Sequence, residues 1–260
     1  HAIEFEEGQH STERILNADE VMKSPGINEK NELIKQIRAK GIDVISEIEF
    51  AYRYKGNSKI IAITGSNGKT TTTALTYHIC KTAGADCAMV GNIGFSFAKQ
   101  VAVEPKQLYV AEISSFQLDD IKTFRPDVAV MTNITEDHLD RYDYKFENYI
   151  SSKYRVAMNQ QHDDVFIYNL DDAVTLKTIN NYPIKSTLAP ITMSKQLPQG
   201  AYLLNAKMHL KWKSEEMQMS IEDFDIKGKN KQYNSIADGL AADAVDIRQE
   251  KLREALQTFE

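Results

Sequence analysis

Three observations predict an α/β fold built on a mostly parallel sheet with helices on both faces. Short apolar strands alternate with helical stretches from residue 59 onward. The first of those strands leads directly into a glycine-bearing turn and a helix start. After residue 182 the pattern shifts to short runs of alternating polarity, which adds a small antiparallel β region.

The elements follow in order. Residues 20–23 form a short strand candidate that ends at Ser24-Pro25-Gly26, a turn signal. Residues 31–40 carry helical spacing through Leu33, Ile34 and Ile37 and stop at Gly41. Val44 and Ile45 begin another short strand or a linker. This is too little chain for a core of its own, so residues 1–56 read as the remnant of a domain. Strands are then expected at 60–63, 88–90, 108–113, 128–132 and 165–168. Helices are expected at 69–83, closed by Gly84, and at 147–159. Runs 202–204, 208–212 and 217–221 alternate as short strands, and helices return at 233–247 and 250–259.

Bulk composition narrows the function classes. At 260 residues, 42% apolar and 26% charged, the chain is an ordinary globular protein with one large domain or two of unequal size. A net charge of −6 argues against a nucleic-acid or anionic-membrane partner, and no apolar run is long enough to cross a bilayer. The opening stretch is acidic and lacks a starting Met, so the chain is expected to begin partway through a longer protein, and its other end also reads as truncated. Cys80 and Cys87 sit among apolar neighbours without metal-ligand partners, as buried free thiols suited to a reducing cytoplasm.

The strongest motif is Thr64-Gly65-Ser66-Asn67-Gly68-Lys69-Thr70-Thr71, set between a buried strand and a helix start. Glycines let the backbone approach phosphate oxygens, while free N–H groups and the helix dipole attract the anion. Lys69 is placed to reach the β- and γ-phosphates, and the Thr70 hydroxyl to bind Mg²⁺. Ile63 stands where the common pattern has a glycine, so the loop is a shorter variant. The motif implies nucleotide phosphate binding and leaves the reaction open.

Other chemical residues gather at the carboxyl ends of the strands, where open α/β sheets bind ligands. Glu112 leaves an apolar strand and suits Mg²⁺, which prefers oxygen donors. The run Thr132-Asn133-Ile134-Thr135-Glu136-Asp137-His138-Leu139-Asp140-Arg141-Tyr142 packs acidic and imidazole groups into one loop. Taken alone, Lys153 reads as a solvated helix lysine.

Together the 64–71 loop, Glu112-Ile113-Ser114-Ser115-Phe116-Gln117-Leu118 and the 133–141 run resemble the Mur ligase family, in its D-glutamate-adding branch, over essentially the whole chain. The resemblance implies a P-loop ATPase domain at 57–260. It makes 1–56 the remnant of a Rossmann-like N-terminal domain for a UDP-sugar, and it leaves the C-terminal amino-acid-binding domain absent. It implies a cytoplasmic, monomeric, ATP-dependent ligase whose partners are UDP-N-acetylmuramoyl-L-alanine, D-glutamate and ATP. The reaction would pass through an acyl phosphate.

Residue by residue, the resemblance makes Gly65, Ser66, Asn67, Gly68, Lys69, Thr70 and Thr71 the phosphate site and Asn234 an adenine contact. Gly26, Asn92 and Ser114 would bind the acceptor. Thr70, Glu112 and His138 would hold two Mg²⁺ ions, with Lys153 joining them as a carbamate formed from CO₂. Lys69, Asn92, His138 and Lys153 would form the catalytic set. One departure concerns the adenine region, Asn230-Lys231-Gln232-Tyr233-Asn234, where Lys231 replaces the usual Asn and lacks an acceptor. Another Mur or folylpolyglutamate-type ligase and a nucleotide-binding module without catalysis are the alternatives.

Overall fold

The structure is a computed structural model that describes residues 3–212, 215–220 and 229–259. Ile221, expected to end the last short strand, lies outside them, as does the side chain of Asn230.

The first unit begins with α1 (Thr12–Ile15) and then β1 (Glu20–Met22), α2 (Glu32–Ala39) and β2 (Asp43–Ile45). The two strands pair in parallel through α2. Asn31 caps α2 by accepting the Leu33 amide at 2.9 Å. Ile34 and Ile37 on one face of α2 pack with Val44, a small core separate from the main ones.

Helix α3 (Glu47–Tyr54) ends just before the expected boundary at residue 56, yet Ile48 and Ala51 pack into the core of the large sheet. Its Glu49 carboxylate is buried and accepts from the amides of Lys122, Thr123 and Phe124. Burial pushes that carboxyl up, but these bonds and the Thr123 hydroxyl outweigh it and hold it below its ordinary range.

The chain continues through β3 (Lys59–Thr64), α4 (Lys69–Thr82), β4 (Cys87–Gly91), α5 (Phe97–Val103), β5 (Leu108–Glu112) and α6 (Ser115–Asp119). Next come β6 (Val128–Met131), α7 (Phe146–Tyr154), β7 (Val165–Asn169), α8 (Ala173–Thr178) and β8 (Thr187–Thr192). The last elements are β9 (Gly200–Leu204), β10 (Lys207–Trp212), β11 (Glu215–Ser220), α9 (Lys229–Ala244) and α10 (Gln249–Thr258).

One nine-stranded sheet runs β11-β10-β9-β8-β7-β6-β3-β5-β4. Strands β4 to β9 and β3 are parallel, and β9-β10-β11 are antiparallel. The antiparallel region is therefore continuous with the main sheet, because β9 pairs in parallel with β8. Alternate β3 residues serve opposite faces. Ile61 and Ile63 join the core that also holds Leu75 of α4, Leu240 of α9 and Leu252 of α10. Ile60 and Ala62 face the other core, with Leu118 of α6 and Tyr149 of α7. With both faces covered, the central strands are apolar throughout.

Several bounds differ from expectation. Helix α7 stops at Tyr154 and gives way to a 3-10 turn at Arg155–Ala157, whereas a helix to 159 was expected. Helix α9 begins at Lys229, before the expected start at 233. Strand β8 was not foreseen, since Pro190 at its centre reads against a strand.

Candidate functional site

β3 ends in the glycine-bearing loop, and α4 begins at Lys69. Gly65 has φ +145°, and an added Cβ would lie 1.9 Å from Thr132 Oγ1, so only glycine lets the loop pass the end of β6. Gly68, at φ +84°, precedes the helix and turns its first free amides toward the loop.

Residues 132–135, just after β6, hold this loop in shape. Ser66 Oγ donates to the Thr135 carbonyl at 2.9 Å, accepts the Thr135 amide at 2.9 Å and lies 3.1 Å from the Tyr149 hydroxyl. The Asn67 amide donates to Asn133 Oδ1 at 3.0 Å, and Asn133 Nδ2 donates back to the Asn67 carbonyl at 3.0 Å. Thr132 Oγ1 donates to the same carbonyl at 2.7 Å. Thr132, Asn133 and Tyr149 were not singled out as site residues in the sequence. The polar cluster directly after an apolar strand was the available signal.

Two lysines meet at the loop. Lys69 Nζ donates to the carbonyls of Gly65 at 3.0 Å and Ser66 at 3.1 Å. Lys153 Nζ donates to the Gly65 carbonyl at 2.7 Å and sits 4.6 Å from the centre of the Tyr149 ring. Lys153 is only 1% exposed, which corrects its reading as a solvated helix lysine. Burial, with the neighbouring Lys69 charge, pushes its amine down to about 7, against the opposing pull of Asp137 and Asp119.

A second cluster forms where β4 and β5 end side by side, with Gly91 opposite Glu112. Gly91 has φ +101°, and an added Cβ would meet the Glu112 carbonyl oxygen at 2.3 Å. The next residue, Asn92, donates its amide to that oxygen at 2.8 Å and its Nδ2 to Glu112 Oε1 at 2.7 Å. The other carboxylate oxygen, Glu112 Oε2, is buried and has no hydrogen-bond partner among the described residues. Ser114 caps α6 in a capping box with Gln117.

His138 stands on the loop after β6, at φ 50°, with its side chain 54% exposed, Asp137 at 3.4 Å and the Phe116 ring 5.2 Å away. Among the described residues no group of three or more His, Cys, Asp or Glu side chains could hold a metal ion.

On the other side of the loop, Asn234 of α9 is buried against Gly68. It lines a cavity of about 360 Å³ together with Asn67, Asn133, Asn169, Asp171 and Tyr233. Asp171 braces the wall by accepting from Thr192 Oγ1, the Met193 amide, Ser194 Oγ and the Tyr233 hydroxyl, each at 2.7 Å. Lys231 is exposed in the first turn of α9 and is not among the residues lining the cavity.

The structure thus joins Gly65, Lys69 and Lys153, then Asn92 and Glu112, then Gly68 and Asn234. Thr70 and Thr71 lie in the first turn of α4, with Thr70 exposed. Gly26 is exposed on the small unit and reaches the rest through Arg141, which donates to its carbonyl at 3.1 Å. No helix among the described residues is long and apolar enough to cross a membrane.

A parallel α/β sheet whose central strand feeds a glycine loop, lysine and helix start defines the class of P-loop proteins. Within that class, residues 63–242 match the description Mur ligase middle domain, and the chain belongs to the Mur ligase family. It is 43% identical over 258 residues to a UDP-N-acetylmuramoylalanine–D-glutamate ligase of Christiangramia forsetii, covering 99% of this chain and 58% of the relative. It is 45% identical over 260 residues to the enzyme of that name from Bacteroides fragilis, covering 100% of this chain and 58% of the relative. The chain therefore spans 58% of the length of these curated relatives. A solved UDP-N-acetylmuramoyl-L-alanyl-D-glutamate–2,6-diaminopimelate ligase superposes with a TM-score of 0.64 at 20% identity, over 88% of this chain and 57% of that one. This last likeness concerns the fold alone.

Proposed function

We propose that the chain is the ATP-binding part of a ligase that joins D-glutamate to UDP-N-acetylmuramoyl-L-alanine, a step of peptidoglycan synthesis on which cell shape and division depend. Residues 57–260 form the ATP-binding domain, and 1–56 form the end of the UDP-sugar domain with its linker. The protein works in the cytoplasm as a monomer and engages neither nucleic acid nor membrane.

The observation that supports this most is the meeting of Lys69 and a buried, easily neutralised Lys153 on the Gly65 carbonyl. The Gly65–Thr71 loop and the free amides of α4 receive the triphosphate, with Lys69 turning to the β- and γ-phosphates. The cavity beside Asn234 receives the nucleoside and is of ligand-site size. The acceptor carboxylate attacks the γ-phosphorus, giving an acyl phosphate and ADP. The D-glutamate amine then attacks that carbonyl, forming the amide and releasing phosphate. Asn92 is placed to hold the γ-phosphate and acyl oxygens and Ser114 to contact the acceptor, while Gly26 meets its nucleotide part.

Glu112 Oε2, buried without a partner, fits a cation. Thr70, Glu112, His138 and a carbamate on Lys153 are the residues that would hold two Mg²⁺ ions. Bound there, the metal neutralises phosphate charge and fixes the reacting oxygens. The neutral Lys153 amine would form its N–C bond to CO₂ and release one proton to solvent, leaving an anion; counted from the charged ammonium, two protons leave in all.

Incubating the full-length protein with ATP, UDP-N-acetylmuramoyl-L-alanine and a panel of amino acids, and weighing the products, tests the proposal. The expected product carries one glutamate of D configuration. Product formed only with another amino acid, or with a folate acceptor, would contradict it.

A further inference from the structure

Arg141 lies in the 3-10 turn Leu139–Tyr142, directly after the His138 position. Its Nη1 donates to the Gly26 carbonyl at 3.1 Å, and its Nη2 donates to the carbonyls of Pro25 at 3.0 Å and Ile27 at 3.2 Å. The guanidinium lies over the Phe116 ring, 4.5 Å from its centre, and that ring also contacts His138. One side chain from the His138 loop therefore touches both the 24–27 turn and the segment after Glu112.

The fork fixes how the turn faces. In a trans peptide the C=O and the following N–H point in opposite directions. Drawing the Pro25, Gly26 and Ile27 carbonyls to one guanidinium turns the amides of Gly26, Ile27 and Asn28 the other way. The Ile27 amide closes the turn on the Ser24 carbonyl at 3.0 Å. Those of Gly26 and Asn28 donate to no protein group among the described residues, and the space beside the Gly26 Cα is open. From the other flank, Lys23 Nζ donates to the Ile27 carbonyl at 3.2 Å and pairs with Asp120 at 3.0 Å and Glu29 at 2.8 Å. Lys30 adds a bond to the Asp140 carbonyl at 3.2 Å.

We propose that Arg141 is a positioning residue, resting on the ligase function above. It presents the outward amides of Gly26 and Asn28 to the sugar-nucleotide acceptor and ties that turn to the loop bearing His138. A lysine cannot replace it, because an ammonium on a flexible stem lacks the planar fork that reaches three carbonyls.

Kinetics of Arg141→Ala and Arg141→Lys in the full-length protein test this. The KM for UDP-N-acetylmuramoyl-L-alanine is expected to rise about tenfold in both variants, with the KM for ATP and kcat within about twofold. An acceptor KM within about threefold of the unsubstituted value, a parallel rise in the KM for ATP, or full rescue by lysine overturns it. Hydrogen exchange on this chain supplies a readout independent of activity. Arg141→Met is expected to speed exchange of the Ile27 amide and leave the β3 amides protected, and unchanged exchange at Ile27 overturns the proposal. Should the unsubstituted full-length protein not consume this acceptor, the ligase function fails, while the exchange arm still decides whether Arg141 holds the turn.

Discussion

Lys69 and Lys153 place their ammonium groups on one acceptor, the Gly65 carbonyl oxygen, at 3.0 and 2.7 Å. The two come from α4 and α7, on opposite faces of the sheet. Burial and the second charge both favour loss of the Lys153 proton, which brings its amine down to about 7. A lysine so placed carries a larger neutral fraction near pH 7 than an exposed one does.

Lys153→Ala is accordingly expected to abolish ligation in the full-length protein, and added short-chain carboxylates to restore part of it by standing in for the carbamate. Retained activity in the untreated variant contradicts the carbamate. With ¹³C-labelled bicarbonate, a carbamate signal absent from the variant should strengthen as pH rises through about 7, because the neutral fraction grows.

Glu29 gives a pH test of the small unit. Burial raises its carboxyl, but Arg38 and Lys23 outweigh burial and hold it down to about 2, from an ordinary 4.5. A depressed carboxyl stabilises the fold above its unfolded value and loses that contribution as pH falls from about 4.5 to about 2. Because Glu29 is 42% exposed, the effect is modest, at most about 1 kcal/mol. Thermal melts at pH 6 and pH 3 should differ less in Glu29→Gln than in the unsubstituted chain, and equal differences would count against the ion network.

Asp238 gives the opposite sign. It is fully buried in α9, accepts from Thr76 Oγ1 of α4 at 2.6 Å, and is pushed well above its ordinary value by burial. The folded chain therefore keeps a proton that the unfolded chain releases, and stability falls as pH rises above about 4. Asp238→Asn should raise the melting temperature more at pH 8 than at pH 5. An equal gain at both would show that the acid is not held neutral.

Gly65→Ala forces a side chain into φ +145° and against Thr132 Oγ1. Strain of this kind costs on the order of 1–3 kcal/mol. Urea unfolding should show a loss in that range, and binding of a fluorescent ATP analogue should weaken about tenfold or more. Unchanged affinity would mean that the loop does not hold the triphosphate.

The legible parts of this molecule are contiguous in sequence. Strands β3, β5, β6 and β7 are apolar runs because both sheet faces are covered, and the loop before Lys69 spans a few consecutive residues. What escaped depends on pairing between distant segments. The Asn92–Glu112 bond needs β4 beside β5 in register, and local spacing does not encode that register. Lys153 looks solvated on its own helix because the groups that bury it come from the loop after β3. The three-carbonyl grip of Arg141 joins positions 114 to 116 residues apart.

Phosphate release by the full-length protein supplied with ATP, Mg²⁺, UDP-N-acetylmuramoyl-L-alanine and D-glutamate tests the central claim most directly. The expected result is release that needs both substrates, fails with L-glutamate and disappears in Lys69→Ala. Release that ignores D-glutamate, or that persists in Lys69→Ala, would contradict it.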